Sequence, residues 1–249
     1  MRTRSIGEQN AVFCSRLFSS VNRGSSLSSA KWAKALLMMH ALFDRTGHRK
    51  YLVGRERIAF ASAAVAEGGA VATFCLALAF TGARISEVLA LTAERIDASD
   101  GAIVFETLKQ RKKGVFRAIP VPRELLNLFE ATHGVSAALI DPGRKAMRLW
   151  PWGRTTAWKH VKRVMKRAGV TDALSMPKAL RHGFAIEAGQ NGVQLNIVQR
   201  WMGHARIETT AVYAGALGKE ERALARRTWH GLKKALKRYR SEPCRSRRL

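Results

Sequence analysis

Apolar residues recur with a helical period along most of the chain, broken once by a short stretch of alternating character. Residues 1–28 carry no such pattern and end in NRGSSLS, whose serines suit the start of a helix over 29–45. In that helix Trp32, Leu36, Leu37 and Phe43 fall on overlapping apolar faces, and Gly47 stops it. HRKYLVGRER reads as a connector, with a boundary near residue 50. A helix follows over 55–66, closed by Gly68 and Gly69. The next, over 71–80, is apolar nearly all round and is expected at the centre of the core. Thr81 and Gly82 break it. Residues 84–91 (RISEVLAL) then turn Ile85, Val88, Leu89 and Leu91 inward.

The period changes after DASDG. Residues 102–107 (AIVFET) and 115–121 (VFRAIPV) read as two strands joined by the cationic turn LKQRKKG. Such a hairpin can lie along a phosphate backbone. Residues 123–132 are helical and close at Gly134; 136–148 read as loop. LWPWGR is expected to plug a core edge. Residues 155–168 set Trp158, Val161 and Met165 against Lys159, Lys162, Lys166 and Arg167, a basic face that either binds nucleic acid or is simply solvated. Pro177 opens a helix to about 188. Gly192 separates it from 195–202, which Gly203 and His204 end, and a short helix leads to Tyr213. Residues 220–240 form a last basic amphipathic helix, followed by a frayed tail over 241–249.

Charge narrows the class of partner. Lys and Arg number 44 against 18 Asp and Glu, a net charge of +26. A polyanion is the expected partner, nucleic acid foremost, since each neutralised phosphate releases counterions. With 47% apolar residues the chain can also bury a core, which a disordered basic tail cannot. Cys14, Cys75 and Cys244 fit neither a zinc template nor a disulfide framework and suggest a reducing compartment. The apolar run over 70–80 is too short to span a bilayer, and residues 1–20 read as a basic arm.

The densest chemistry lies in 178–213. Lys178, Arg181, His182, His204 and Tyr213 together offer cations, imidazoles and a phenol, the groups needed to attack a phosphodiester without a metal. Each has a plain alternative. Arg181, between Leu180 and Phe184, is either a buried ion pair or a fork gripping two phosphate oxygens. Arg84 stands in a first helical turn, poorly placed for a positive charge, so an anionic partner is expected, with Glu87 one turn on. His204 alone suits a helix end, Tyr213 alone a core or surface position, and the lysines from 109 to 113 a solvated loop. His182 is expected to point away and serve structure.

TGARISEVLAL and LRHGFAIEAGQNGVQLNIVQRWMGHARIETTAVYA resemble the two signature boxes of the tyrosine recombinases, the phage-integrase and Xer-like family. The resemblance covers about residues 50–230. It implies an α+β, mainly α-helical catalytic domain with a small antiparallel β-hairpin or sheet. That domain would span 51–240, after a reduced core-binding segment over 1–50 and before the basic tail. It implies that Arg84 and Arg181 clamp the scissile phosphate and that His204 serves the phosphate site. Tyr213 would attack to give a 3′-phosphotyrosyl link and a free 5′-hydroxyl. Lys109 would protonate the leaving 5′-oxygen, with Lys112 or Lys113 as alternatives. Lys178 stands where a histidine is common, which suggests an electrostatic role. No metal or cofactor is required. The implied partners are double-stranded DNA and further copies of the chain, a tetramer on paired sites, with residues 220–240 docking on a neighbour. The implied location is the cytoplasm, on the nucleoid. Residues 1–50 are shorter than the usual N-terminal clamp, so a minimal clamp or a partner protein would be needed. A DNA-binding protein of the same fold without catalysis, a type IB topoisomerase-like relaxing enzyme and a generic basic nucleic-acid protein are the alternatives.

Overall fold

The most apolar stretch becomes the centre of the fold. In a computed structural model that describes residues 42–44, 46–107, 114–170 and 174–215, the helix Gly69–Thr81 (α2) has Ala72 to Ala79 all buried. Gly82 ends it in the left-handed region, at φ 60°. A side chain there would be strained and would place its Cβ 2.4 Å from the Phe184 ring. Around α2 pack the helices Gly54–Glu67 (α1), Arg123–His133, Arg154–Arg167 and Pro177–Gln190. All described residues fall in one unit, Ala41–Leu249. The helix expected over 29–45 (apart from 42–44), the lysine turn, the helix over 220–240 and the tail lie outside the described residues.

Ile85–Leu89 (α3) buries Ile85, Glu87, Val88 and Leu89, as the apolar pattern requires except for the carboxylate. The expected hairpin is present as Ala102–Glu106 (β2) paired antiparallel with Phe116–Pro120 (β3). A short strand the alternation did not mark, Ile96–Asp97 (β1), adds to its free edge, giving a three-stranded sheet in the order β1-β2-β3. In β3 the phase is the reverse of what hydrophobicity suggests. Arg117 and Ile119 face inward, whereas Phe116 is 46% exposed under the Arg95 guanidinium. Because side chains alternate across a strand, burying Ile119 carries Arg117 inward with it.

Arg123–His133 (α4) stops at Gly134, as expected. Residues read as loop instead form a short helix, Val135–Ile140 (α5), which buries Val135 and Ala138. Trp150 does plug the core, fully buried with its indole N–H on the Ala70 carbonyl at 2.8 Å. On Arg154–Arg167 (α6), Val161 and Met165 are buried but Trp158 is 43% exposed beside Lys162, against expectation. Its apolar stripe is thus narrower than the sequence pattern indicated, because Ala157, Val161 and Val164 already fill the contact.

The final described segment folds as Pro177–Gln190 (α7), Leu195–Met202 (α8), Glu208–Ala211 (α9) and a 3-10 turn over Val212–Gly215. The connector before α1 is packed rather than free: Leu52 is buried and its N–H donates to the Ala179 carbonyl at 3.2 Å. Leu42, Phe184, Ala185, Ile186, Val198, Met202 and Tyr213 form a cluster distinct from the main core. Among the described residues no helix is long and apolar enough to cross a membrane.

Candidate active site

Arg84 precedes α3, where its charge opposes the helix dipole; Glu87 resolves the conflict. Arg84 N–H donates to Glu87 Oε2 at 2.8 Å and Nη1 to Oε1 at 2.7 Å, the partner the sequence indicated. The Glu87 carboxylate is fully buried, and Arg117 from β3 reaches it as well, Nη2 to Oε2 at 2.7 Å. Burial alone would raise the Glu87 pKa. The Arg117 guanidinium above all, with Arg84, outweighs it and holds the group below the usual carboxylate range.

Arg117 is itself anchored on three sides. Its guanidinium lies over the Phe105 ring, donates to Thr107 Oγ1 at 3.0 Å, and gives Nε–H to the Trp201 carbonyl at 2.8 Å. It therefore ties the sheet and the end of α8 to Glu87. Thr107 immediately precedes the lysine-rich turn, so the root of that turn adjoins the arginine cluster. Sequence reading passed over Arg117; its shared phase with Ile119 was the available signal.

Arg181, on α7, is 8% exposed and has no carboxylate partner among the described residues. Its Nη1 donates to the Gly82 carbonyl at 2.7 Å and its Nη2 to the Met202 carbonyl, with His204 Nε2 3.3 Å away. Burial first, then the Arg84 charge, pull its pKa down to about 10, so it remains a cation at neutral pH. Two guanidinium groups thus share one carboxylate with a third nearby, leaving two positive charges uncompensated among the described residues in a largely buried place. Such a place favours an anion, and the ion-pair alternative for Arg181 is not realised.

His204 follows Gly203, which ends α8 at φ 60°. A Cβ on Gly203 would stand 3.1 Å from Arg117 Cζ and 3.2 Å from Thr107 Cγ2. This close approach sets His204 beside Arg181. Since an arginine only donates, Nε2 is an acceptor and Nδ1–H donates to Thr210 Oγ1 at 2.9 Å. Burial, then Arg181 and Arg84, push the His204 pKa down to about 3, so the ring is neutral.

Tyr213 lies in the 3-10 turn, 7% exposed, with its ring nearly parallel to that of His204 at 6.3 Å. Burial raises its pKa against the pull of Arg181 and Arg84, so it is a neutral phenol. Its hydroxyl is 2.9 Å from His182 Nδ1. The expectation that His182 faces away is therefore corrected. One step along α7 from Arg181 turns it about 100° around the axis, and the returning chain places Tyr213 on that second face. Burial, then Lys178, Arg181 and Lys50, lower its pKa to about 4. Lys178 is exposed and acts on this site through its charge. The structure thus brings together Arg84, Arg181, His204 and Tyr213, adds Arg117 and His182, and leaves Lys178 at the margin. Lys109, Lys112 and Lys113 lie outside the described residues.

This mainly helical domain with its small antiparallel sheet has the architecture of a tyrosine recombinase catalytic domain. It is similar in fold to the crystal structure of XerA recombinase, with a TM-score of 0.56, 21% identity, and coverage of 72% of this chain and 63% of that one. It is likewise similar to XerH site-specific recombinase bound to palindromic difH substrate in a post-cleavage complex, with a TM-score of 0.59, 22% identity, and coverage of 72% and 53%. The chain belongs to the phage integrase family, whose model matches residues 57–220. In sequence it is 32% identical over 143 residues to tyrosine recombinase XerD of Mycobacterium tuberculosis, covering 53% of this chain and 43% of the relative. It is also 32% identical over 145 residues to tyrosine recombinase XerA of Pyrococcus furiosus, covering 56% and 48%. The matched part spans less than half the length of these relatives.

Proposed function

We propose that the chain is a site-specific DNA recombinase that cuts and rejoins strands through a 3′-phosphotyrosyl intermediate on Tyr213. The observation that carries this reading is Arg181, a buried guanidinium bonded, among the described residues, only to carbonyls and a histidine acceptor, and lying close enough to Arg84 and Tyr213 to feel their charge. In this reading the two arginines bind the non-bridging oxygens of the scissile phosphate and stabilise its pentacoordinate transition state. One directed donor of this kind is worth about 3–4 kcal/mol, a hundred- to a thousandfold in rate. His204 supports the phosphate site. Lys109 protonates the 5′-oxygen, from a turn whose root adjoins Arg117. Lys178 contributes positive potential at the rim. The reaction stores the bond energy in the tyrosyl ester, and a partner strand's 5′-hydroxyl releases it. Double-stranded DNA is the substrate, and paired sites would be held by a homo-oligomer, a tetramer, consistent with the net charge of +26.

Incubation with nicked suicide DNA tests this reading. A denaturant-resistant protein–DNA adduct is expected with the wild type and lost in Tyr213→Phe. No adduct on any cognate-site DNA overturns the enzymatic reading, and an adduct persisting in Tyr213→Phe overturns the nucleophile assignment. Strand exchange between paired sites, as opposed to relaxation of a supercoiled circle, separates recombination from topoisomerase activity.

A further inference from the structure

Formation of a phosphotyrosyl bond requires the Tyr213 phenol to lose its proton, and the groups around it differ sharply in their ability to take one. Arg84 and Arg181 only donate. His204 has its basic nitrogen turned toward Arg181, while its N–H is spent on Thr210. Lys178 is exposed and acts on the site through its charge. His182 Nδ1, 2.9 Å from the phenolic oxygen, is in direct contact. We propose that His182 is the proton acceptor for Tyr213, the general base of strand cleavage; this rests on the reading of Tyr213 as the nucleophile.

The hydrogen bonding assigns the direction of that contact. If Tyr213 donates to a bare Nδ1, the proton on His182 sits at Nε2, which is buried without a partner, and one donor is left unpaired. If Nδ1–H donated instead, the phenolic proton and the Nε2 lone pair would both lack partners. The first arrangement leaves fewer buried polar groups unsatisfied and is favoured. It is also the arrangement a base needs.

The surroundings tie proton uptake to substrate. His182 is neutral at physiological pH because burial, Lys178 and Arg181 on its own helix, and Lys50 on the packed connector all oppose a second proton. Among the described residues, Tyr213 and the neutral His204 ring also adjoin it and add no charge. A phosphate seated on Arg84 and Arg181 offsets the Arg181 charge and raises the basicity of His182 when the nucleophile is needed. In the cleavage step the Tyr213 O–P bond forms and the P–O5′ bond breaks. The phenolic proton passes to His182 Nδ1, and the 5′-oxygen takes a proton from a lysine ammonium, Lys109 in the proposed reading. Ligation reverses both transfers.

The test uses His182→Asn, whose amide reaches the position of Nδ1 and can accept the phenol hydrogen bond but cannot take its proton. Adduct formation on suicide DNA is expected to slow about 10²–10⁴-fold, with DNA affinity and melting temperature close to wild type. A substrate carrying sulfur at the bridging 5′ position, whose thiolate leaves without an acid, should restore Lys109→Ala but not His182→Asn. A wild-type rate in His182→Asn, or its restoration by the sulfur substrate, overturns the proposal. In the wild-type protein, nitrogen NMR should show His182 protonated at Nε2; protonation at Nδ1 in the neutral ring would overturn it without any variant. If Tyr213→Phe still forms the adduct, the nucleophile assignment fails instead.

Discussion

The two halves of the site are held in different ways. The half proposed to seat the phosphate, where Arg84 and Arg117 share Glu87, grows out of the main core: α3 and β3 are fastened by Ile85, Val88, Leu89 and Ile119, all buried. The half proposed to carry the nucleophile rests on the smaller cluster around Phe184, Met202 and Tyr213, and its final support is a four-residue helix followed by a 3-10 turn. A helix that short has no stability of its own and depends on what it packs against. The charge-binding groups are thus preorganised, as electrostatic catalysis demands. Tyr213, the proposed attacking group, is held by a small apolar contact and the His182 bond.

The largest expected effect falls on the phosphate half. Arg117→Met leaves the buried Glu87 carboxylate without its main partner and should cost about 3–5 kcal/mol, read from the urea midpoint. A variant as stable as wild type would mean that the ion pair does not hold this half together. Gly82→Ala strikes the seam between the halves. The left-handed backbone and the contact with Phe184 at 2.4 Å should together cost about 2–4 kcal/mol. The same variant should displace α7 and weaken adduct formation; an unchanged melting temperature would show that Phe184 yields freely.

Acid should act on the nucleophile half first. His182 and His204 have folded pKa values of about 4 and 3, below the ordinary 6.5, so the unfolded chain binds more protons between these limits. Stability therefore falls as pH drops from 6.5 toward 3, by a loss on the order of 2 kcal/mol once solvent contact is allowed for. Glu87 adds to this at lower pH: its folded pKa is depressed, so its contribution is complete above about 4.5 and lost as pH falls through the folded value. Denaturant titrations at a series of pH values check the slope, and His182→Asn should flatten its upper part. The smallest effect belongs to Tyr213→Phe, which removes one hydroxyl–imidazole bond and should change stability by about 1 kcal/mol. A much larger loss would mean that the His182 contact, more than the apolar cluster, secures the nucleophile.

Helix positions were legible where punctuation and period agreed. Pro177, Gly192 and Gly203 delimit α7 and α8 close to their observed ends, and the continuous apolar run marks α2 as central. Two short elements, β1 and α5, were not legible, although the short helices α3 and α9 were. β1 has two residues and α5 six, too few for a period to register, and both exist through contacts with neighbours. The spacing of Trp158 with Val161 and Met165 suggests burial, whereas the α6 interface is already filled by smaller side chains. Arg117 was missed because a charge beside Phe116 looks like the outer face of a strand, and only the register shows the reverse.

The residue types and their order along the chain determined the family, the fold class and the polyanionic partner to be expected, because spacing, period and charge are local or additive properties. The contact between His182 and Tyr213 joins residues 31 positions apart, and the sharing of Glu87 by Arg84 and Arg117 spans 30. Those pairings depend on how α7, α8 and α9 turn at Gly192 and Gly203 and on which face of β3 is buried. No side chain carries that information alone; packing assigns which groups become partners and which cation is left without a carboxylate among the described residues.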